Sequence, residues 1–166
     1  MNVFQNEWKY LQKTLRIVKI IVSLENIRLF NSRMKLIHKS YKFRITPDKE
    51  QIELLSKHFG ACRFVFNRYL NIRKENHLEE KKSLNYYDNA NDLTKLKKEE
   101  KFVWLKEINS QSLQYSLRNL DTAYNKFFRK QTKFPRFKSK YDRQSFTVPQ
   151  FVTIKEGKLW IPKFKK

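Results

Sequence analysis

The chain has 166 residues and carries 37 Lys and Arg against 16 Asp and Glu, a formal net charge of +21. Its 40% hydrophobic and 15% aromatic content is enough to form a core, which excludes a wholly disordered chain. So large a positive charge points to nucleic acid, because each phosphate neutralised by Lys or Arg releases condensed counterions. The single cysteine, Cys62, excludes an internal disulfide and a cysteine zinc site, and it favours a reducing compartment.

The first 33 residues are patterned differently from the rest. Their longest uninterrupted apolar run, Ile20 to Val22, is too short to span a bilayer. The segment also lacks the arrangement of a signal peptide. A well-patterned sequence begins at Met34, so we expect residues 1–33 to be an extension outside the fold. An amphipathic surface helix is the alternative reading.

A strand and a long helix are predicted next. Residues 34–46 alternate apolar and basic side chains, as a strand does, and we predict a strand there. Pro47 and Asp48 then indicate the start of a helix that we place at 47–79. Its apolar stripe has spacings of three and four residues and consists of Ile52, Leu55, Phe59, Cys62, Phe66 and Tyr69. Gly60 lies inside this helix and indicates a kink or the close approach of another backbone.

A short polar helix at 88–100 and a second long helix at 111–130 follow. Ser110 is predicted to be the N-cap of the second long helix. Its apolar stripe, again with spacings of three and four, consists of Leu113, Leu117, Leu120, Tyr124 and Phe127. Two long helices with matched stripes are expected to pack antiparallel. With the short helix they form a helical lobe at 47–130.

The end of the chain is its most basic part. Residues 126–166 contain 13 basic and 2 acidic side chains. Residues 130–144, called the basic loop below, interleave cations with Phe134, Phe137 and Tyr141. We expect the cations to contact phosphates and the aromatic rings to anchor the loop to the core, although exposed rings can also stack on unpaired bases. Short strands are predicted at 145–148, 151–155 and 158–161, with a hairpin turn at Glu156 and Gly157.

No catalytic constellation emerges from the sequence. Cleavage of phosphodiesters commonly needs clustered carboxylates that hold two metal ions, whereas the acidic residues here lie beside cations at helical spacing, as on solvated helix faces. His38, His58 and His77 are scattered, and we interpret them as satisfied or exposed side chains. We therefore expect no catalytic residues, no metal ligands and no cofactor.

Seven segments in order resemble one family. They read YKFRITPDKEQ, GACRFVFNRYL, LTKLKK, WLKEINSQSLQYSLRNLDTAYNKFF, FPRFKSK, SFT and GKLWIPK. Together they resemble TnpB, or OrfB, transposases, which are RNA-guided DNA endonucleases of insertion sequences. The resemblance covers about residues 35–166. It implies an α+β fold in which a helical recognition lobe is inserted into a partial wedge-type β-barrel, with residues 34–46 as the first barrel strand. It also implies that the RuvC-like nuclease domain and zinc ribbon would follow residue 166.

The resemblance assigns base reading to three places. These are Tyr86 after the first long helix, Ser110, Gln111 and Gln114 at the start of the last helix, and Thr147. Gln114 is the best candidate for contact with a base edge, because glutamine can make two hydrogen bonds to adenine. The phosphate contacts are assigned to the basic loop, through Lys133, Arg136, Lys138, Lys140 and Arg143. The family's front segment has also been described as a helix-turn-helix, but long packed helices do not favour insertion into the major groove.

The sequence therefore predicts a nucleic-acid-binding N-terminal part of a TnpB-type transposase, without its own nuclease site. The expected partners are DNA beside a short target motif and a guide RNA, with no membrane and no small-molecule substrate. The expected location is the cytoplasm of a prokaryote, in association with the nucleoid. Two alternatives stay open, namely a stand-alone DNA-binding regulator derived from such a transposase and a general RNA-binding protein.

Overall fold

The computed structural model describes residues 44–79 and 84–164, although the side chains of residues 78 and 79 are not described. The chain divides into two units, Met1–Thr46 and Pro47–Lys166, and the fold below is that of the second. The predicted extension at 1–33 and most of the predicted strand at 34–46 lie outside the described residues. Residues 44–46 have no regular secondary structure.

The first long helix, α1, spans Lys49–Glu79. A capping box fixes its start: the Gln51 amide donates to Asp48 Oδ1 at 2.8 Å, and the Asp48 amide donates to Gln51 Oε1 at 3.2 Å. Pro47 therefore precedes the helix instead of occupying its first turn. Gly60 is an uninterrupted part of the helix, and an added Cβ would meet no atom within 4 Å. The close approach of another backbone predicted at Gly60 is wrong.

Helix α2 spans Tyr86–Leu96, a 3-10 helix spans Glu100–Lys106, and α3 spans Ser110–Phe128. The predicted polar helix at 88–100 is therefore two residues late at its start and too long at its end. Asn85 supplies the earlier start, because its side chain accepts from the amides of Tyr87 and Asp88 in a second capping box.

Asn109, not Ser110, caps α3. The Asn109 side-chain oxygen accepts from the amides of Gln111 at 3.0 Å and Ser112 at 3.1 Å, whereas Ser110 is the first helical residue and is exposed. The helix ends in a Schellman turn, in which the Gln131 amide donates to the Lys126 carbonyl and Lys130 adopts a positive φ of 58°. This turn ends α3 two residues before the predicted end.

The core lies between α1, α2, the 3-10 helix and α3. Both predicted stripes face it, and Val65, Leu105, Leu113, Leu117 and Leu120 have no exposed surface. Cys62 is buried in this core, with its Sγ 3.6 Å from the Ser112 carbonyl, and burial raises the pKa of its thiol to about 11. Cys62 therefore packs in the core, as its place on the predicted apolar stripe indicates.

Helices α1 and α3 are parallel, so the expected antiparallel pairing is wrong. The Asn109 amide meets His58 near one end of the contact, and Arg73 meets Asp121 further along both helices. Residue numbers therefore rise together along the interface. The segment that contains α2 and the 3-10 helix returns the chain to the first end before α3 begins, and the matched stripes fit either direction.

After α3 the chain has little regular structure. Strands β1, Thr153–Lys155, and β2, Lys158–Trp160, form an antiparallel hairpin. The predicted turn is confirmed, because Glu156 and Gly157 have φ values of 50° and 71°, as a type I′ turn requires. The segment 145–148 is not a strand. The described residues thus combine a helical domain with a two-stranded sheet, which confirms α+β, while the wedge-type barrel stays a prediction.

Candidate nucleic-acid interface

The basic loop is fixed to α1 by the Asn67 side chain, which bonds to both backbone polar groups of one loop residue, as a neighbouring strand would. Asn67 accepts from the Lys138 amide at 2.8 Å and donates to the Lys138 carbonyl at 2.9 Å. The two bonds satisfy both backbone groups of one residue in a segment that has no ladder of its own. The sequence gave no sign of this contact, because Asn67 lies 71 positions before its partner.

A second contact organises the far part of the basic loop. Gln144 donates to the carbonyls of Ser139, Lys140 and Asp142 at 2.7–3.0 Å, and its Oε1 accepts from Arg63 Nη1 at 2.6 Å. The loop therefore curls around the side-chain amide of Gln144, and Arg63 connects that amide to α1. The loop is held in place by polar contacts.

All five predicted phosphate-contacting cations belong to this fixed loop and are exposed as residues: Lys133, Arg136, Lys138, Lys140 and Arg143. Lys138 is different, because its Nζ lies 4.1 Å from the centre of the buried Phe66 ring. Loss of hydration lowers the pKa of this ammonium. A cation–π contact thus directs the Lys138 charge toward the core.

The aromatic side chains of the loop differ in role. Phe134 packs edge-on against the rings of Tyr124 and Phe127 at 5.6 and 5.3 Å, which agrees with the expected anchor. Phe137 is 51% exposed and Tyr141 is 72% exposed, with Lys140 lying 5.2 Å from the Tyr141 ring centre. The rings near the middle of the loop face solvent, where unpaired bases could stack on them.

The places expected to read bases are linked through α3. At its start, Gln111 Nε2 donates to Gln150 Oε1 at 2.8 Å, which brings the segment that contains Thr147 to the beginning of the helix. Ser110 and Gln114 are exposed on the first turns of the same helix, and Thr147 is half-buried.

Tyr86 is linked to the same helix by Arg118. The Arg118 guanidinium lies 5.3 Å from the centre of the Tyr86 ring, and interaction with Tyr86 raises the pKa of Arg118. Arg118 follows Gln114 by four residues, so both lie on one helix face. Sequence reasoning missed Arg118, although its spacing from Gln114 was a usable signal. Contacts of Arg118 and Gln111 thus bring Tyr86 and the segment that contains Thr147 beside α3, and this part of the molecule is called the α3 surface below.

His58 ties this surface to α1. The side chain is fully buried between the rings of Phe146 and Phe164 at 5.2 and 4.8 Å. Nδ1 donates to the Leu54 carbonyl at 2.8 Å, and Nε2 accepts from the Asn109 amide at 3.3 Å. Burial lowers the pKa of His58, so the neutral form holds the start of α3 in place. The prediction of satisfied or exposed histidines is confirmed for His58 and for the exposed His77.

A buried ionic group fixes the other end of the lobe. Arg73 is 6% exposed and donates to Asp121 at 3.0 Å. The Asn89 side-chain oxygen, when turned toward Arg73, accepts from its Nε and Nη2 at 2.7 and 2.9 Å. The solvated helix faces expected for the acidic residues and the cations beside them do not include Arg73. The signal was present, because Arg73 follows Tyr69 by four residues, on the stripe.

Two further findings concern residues 44–79 and 84–164. No three His, Cys, Asp or Glu side chains among them come together in a way that could hold a metal ion. No helix among them is both long and apolar enough to cross a membrane.

Fold and surface together define a basic helical domain with polar side chains along α3, and comparison with known proteins identifies its family. Residues 34–82 match the helix-turn-helix domain of OrfB proteins of IS605-type elements. The match begins where the well-patterned sequence begins. Its described part, residues 44–79, contains a single helix, α1.

Three relatives extend the likeness. A candidate RNA-guided DNA endonuclease, InsQ, of Escherichia coli strain K12 is 39% identical over 126 residues, and one of Streptomyces pristinaespiralis is 36% identical over 122. These matches cover 75% and 69% of this chain but 31% and 30% of the relatives. Virulence protein VsdF of Salmonella dublin is 35% identical over 111 residues, which are 61% of this chain and 93% of VsdF. The chain belongs to the TnpB/OrfB family of insertion-sequence proteins.

Proposed function

We propose that this chain binds DNA as the recognition part of a TnpB-type transposase. The observation that carries the proposal is the fixed basic loop, which holds exposed cations on α1 in a chain of net charge +21. A loop already held in place loses little conformational entropy when it contacts phosphates. The chain spans about a third of the two endonuclease relatives, so guided cleavage and the guide RNA partner belong to the proposal only for a complete protein of that kind.

In this proposal the two surfaces have separate tasks. The basic loop positions the nucleic acid through its phosphates, which carry no base identity. The α3 surface, with Gln114 at its exposed centre, reads base edges, and Tyr86, Ser110, Gln111 and Thr147 border it. Gln111 is already bonded to Gln150, so we expect Gln114 to contribute more to discrimination between sequences. The wedge-type barrel is proposed for the complete domain.

The first experiment measures duplex DNA affinity against salt concentration. Arg136, Lys138, Lys140 and Arg143 are changed to Ala together. If each contacts one phosphate, the slope of log K against log salt falls by about 3 to 4 units, since each neutralised phosphate contributes about 0.9. If Lys138 of the unaltered chain stays on the Phe66 ring and contacts no phosphate, only three phosphate contacts are lost and the slope falls by about 2.7. In that case Lys138→Ala alone changes stability more than it changes the salt slope.

A matched control removes the same charge elsewhere. Lys95, Lys98, Lys101 and Lys106 are exposed, and changing all four to Ala lowers the net charge equally. This control should keep most of the slope. Equal slopes for the two quadruple variants would show that binding follows net charge alone and would refute the role of the basic loop. Gln114→Ala should leave the slope unchanged and reduce discrimination between sequences by about 1–3 kcal/mol.

A stand-alone DNA-binding regulator is the second candidate. VsdF favours it, because 93% of that protein is matched within this chain. A protein of that length could occupy DNA without cutting it. Binding of this chain to one defined DNA site with high affinity, in the absence of any RNA, would support the regulator over the guided recognition part.

A further inference from the structure

The outward face of α1 is the floor of an open groove. The groove has a volume of about 670 Å³ and is lined by Gly60, Arg63, Phe64, Asn67, Arg68, Asn71, Ile72 and Glu75. These positions repeat at three and four residues and lie opposite the core stripe. From residue 60 to residue 75 the floor is about 22 Å long, at 1.5 Å per residue.

Different parts of the chain form the two sides. On one side, Arg63 and Asn67 hold the basic loop. On the other side, the 3-10 helix packs against the Phe64 ring through the rings of Phe102 at 5.6 Å and Trp104 at 5.5 Å. The helix face is therefore recessed between two raised segments. For this reason α1 cannot enter the major groove of a duplex as a recognition helix does, and a ligand must instead enter the recess.

We propose that this groove binds one unpaired phosphodiester strand. The proposal rests on nucleic-acid binding by the chain and assigns to α1 a contact separate from the basic loop and the α3 surface. Guanidinium groups line both edges, Arg63 beside the basic loop and Arg68 beside Phe102, at 5.1 Å from the Phe102 ring centre. Two guanidinium groups along one recess suit the regularly spaced charges of a backbone.

The remaining groups fit the bases of such a strand. Asn67 and Asn71 place amides on the floor, although Asn67 also holds the loop and Asn71 donates to Glu75 at 2.7 Å. Trp104 is 41% exposed at the edge of the groove, where a base can stack on its indole. Gly60 leaves the floor open at one end, and the Glu75 carboxylate, which repels phosphate, marks the other.

Gly60 allows a test that changes shape without changing charge. Gly60→Leu places a side chain into open space in the groove, and Gly60→Ala adds only a methyl group. The full chain and both variants are titrated with labelled 12-nucleotide single-stranded RNA and DNA of one sequence, and with a 20-base-pair duplex. We expect Gly60→Leu to weaken binding of at least one single strand about tenfold, and Gly60→Ala to weaken it less than twofold. Duplex binding should change less than twofold in both.

The strand that loses affinity shows whether the groove takes RNA or DNA. Neither variant should lower the thermal midpoint, because both replace glycine within a helix. Unchanged single-strand binding by Gly60→Leu, or an equal loss for strand and duplex, overturns the groove proposal while the basic loop remains testable by its salt slope. An original chain that binds no strand and no duplex overturns both proposals.

Discussion

The helical core and the basic loop are held in shape by opposite means. In the core, apolar stripes remove most surface from water, and the buried polar side chains Arg73 and His58 are hydrogen-bonded. In the basic loop almost everything is exposed, and a few side-chain contacts to backbone groups, above all from Asn67 and Gln144, fix its shape. This protein therefore keeps the cations of its basic loop ordered outside any helix or strand. Their order should therefore be separable from global stability.

The largest effect is expected from the buried ion pair. Arg73→Ala leaves Asp121 without its ion-pair partner, although the hydrogen bond from the Asn125 side chain at 3.2 Å remains, and opens space beside the Tyr124 ring, 5.2 Å from the guanidinium. The free energy of unfolding should fall by about 3 kcal/mol, as for other broken buried pairs. Chemical denaturation measures it. Lys74→Ala, at the exposed neighbouring position, is the control and should change stability by less than about 0.5 kcal/mol. An equal change in stability for Arg73→Ala and Lys74→Ala would contradict a structural role of Arg73 in the core.

The next effect distinguishes the observed cap of α3 from the predicted one. Asn109→Ala removes two hydrogen bonds to early amides of the helix and should cost about 1 kcal/mol, whereas Ser110→Ala should cost much less. Thermal denaturation of the two variants, compared at one pH, gives the difference. A larger loss of stability for Ser110→Ala would contradict the Asn109 cap and support the Ser110 cap that the sequence predicted.

A smaller global effect is expected in the basic loop. Asn67→Ala removes both bonds to Lys138 and should lower global stability by less than about 1 kcal/mol, because the loop can open without unfolding the helices. Cleavage by trypsin between residues 136 and 143 should become several times faster. Asn71→Ala, whose amide donates to Glu75, should leave cleavage unchanged. If cleavage tracks global unfolding in both variants, the loop and the core form one cooperative unit.

The smallest change in stability at neutral pH is expected at His58. Of the four stability predictions, this is the one that depends on pH. The pKa of its folded form is lowered from 6.5, so the unfolded chain takes up the proton first. The stability contributed by neutral His58 is present above about pH 6.5 and is lost as pH falls through the folded pKa. Denaturation at several pH values should show a slope below pH 6.5 that His58→Gln reduces. The exposed His77→Gln serves as the control and should keep that slope.

The periodic parts of the fold were predictable and the directional parts were not. The 3.6-residue repeat located α1 and α3 to within two residues at each end, because a helix that buries one face has apolar residues at spacings of three and four. The same repeat cannot say which way a neighbouring helix runs. Parallel packing of α1 and α3 depends on the path of residues 80–109, which carry only a weak pattern.

Parts of the candidate site were predictable for a similar reason. Exposed cations between residues 130 and 144 follow from composition alone, and their exposure is observed for all but the end of Lys138. The clamp by Asn67 and the link between Gln111 and Gln150 join residues 71 and 39 positions apart, and no local pattern encodes such pairs. Which side chains touch nucleic acid stays a prediction for all ten assigned residues.

Parallel packing of α1 and α3 also determines when the core can close during synthesis. The contacts of α1 with α3 join residues 48 to 51 positions apart, whereas the bond from Tyr69 to Asp92 spans 23. As the chain leaves the ribosome, α1 can pair with α2 early. The apolar stripe of α1 stays uncovered until residues beyond 120 have been made and α3 can pack on it. Closing so long a segment slows the step that completes the core. Through that interval the exposed stripe is the surface on which a chaperone, or another nascent chain, could act.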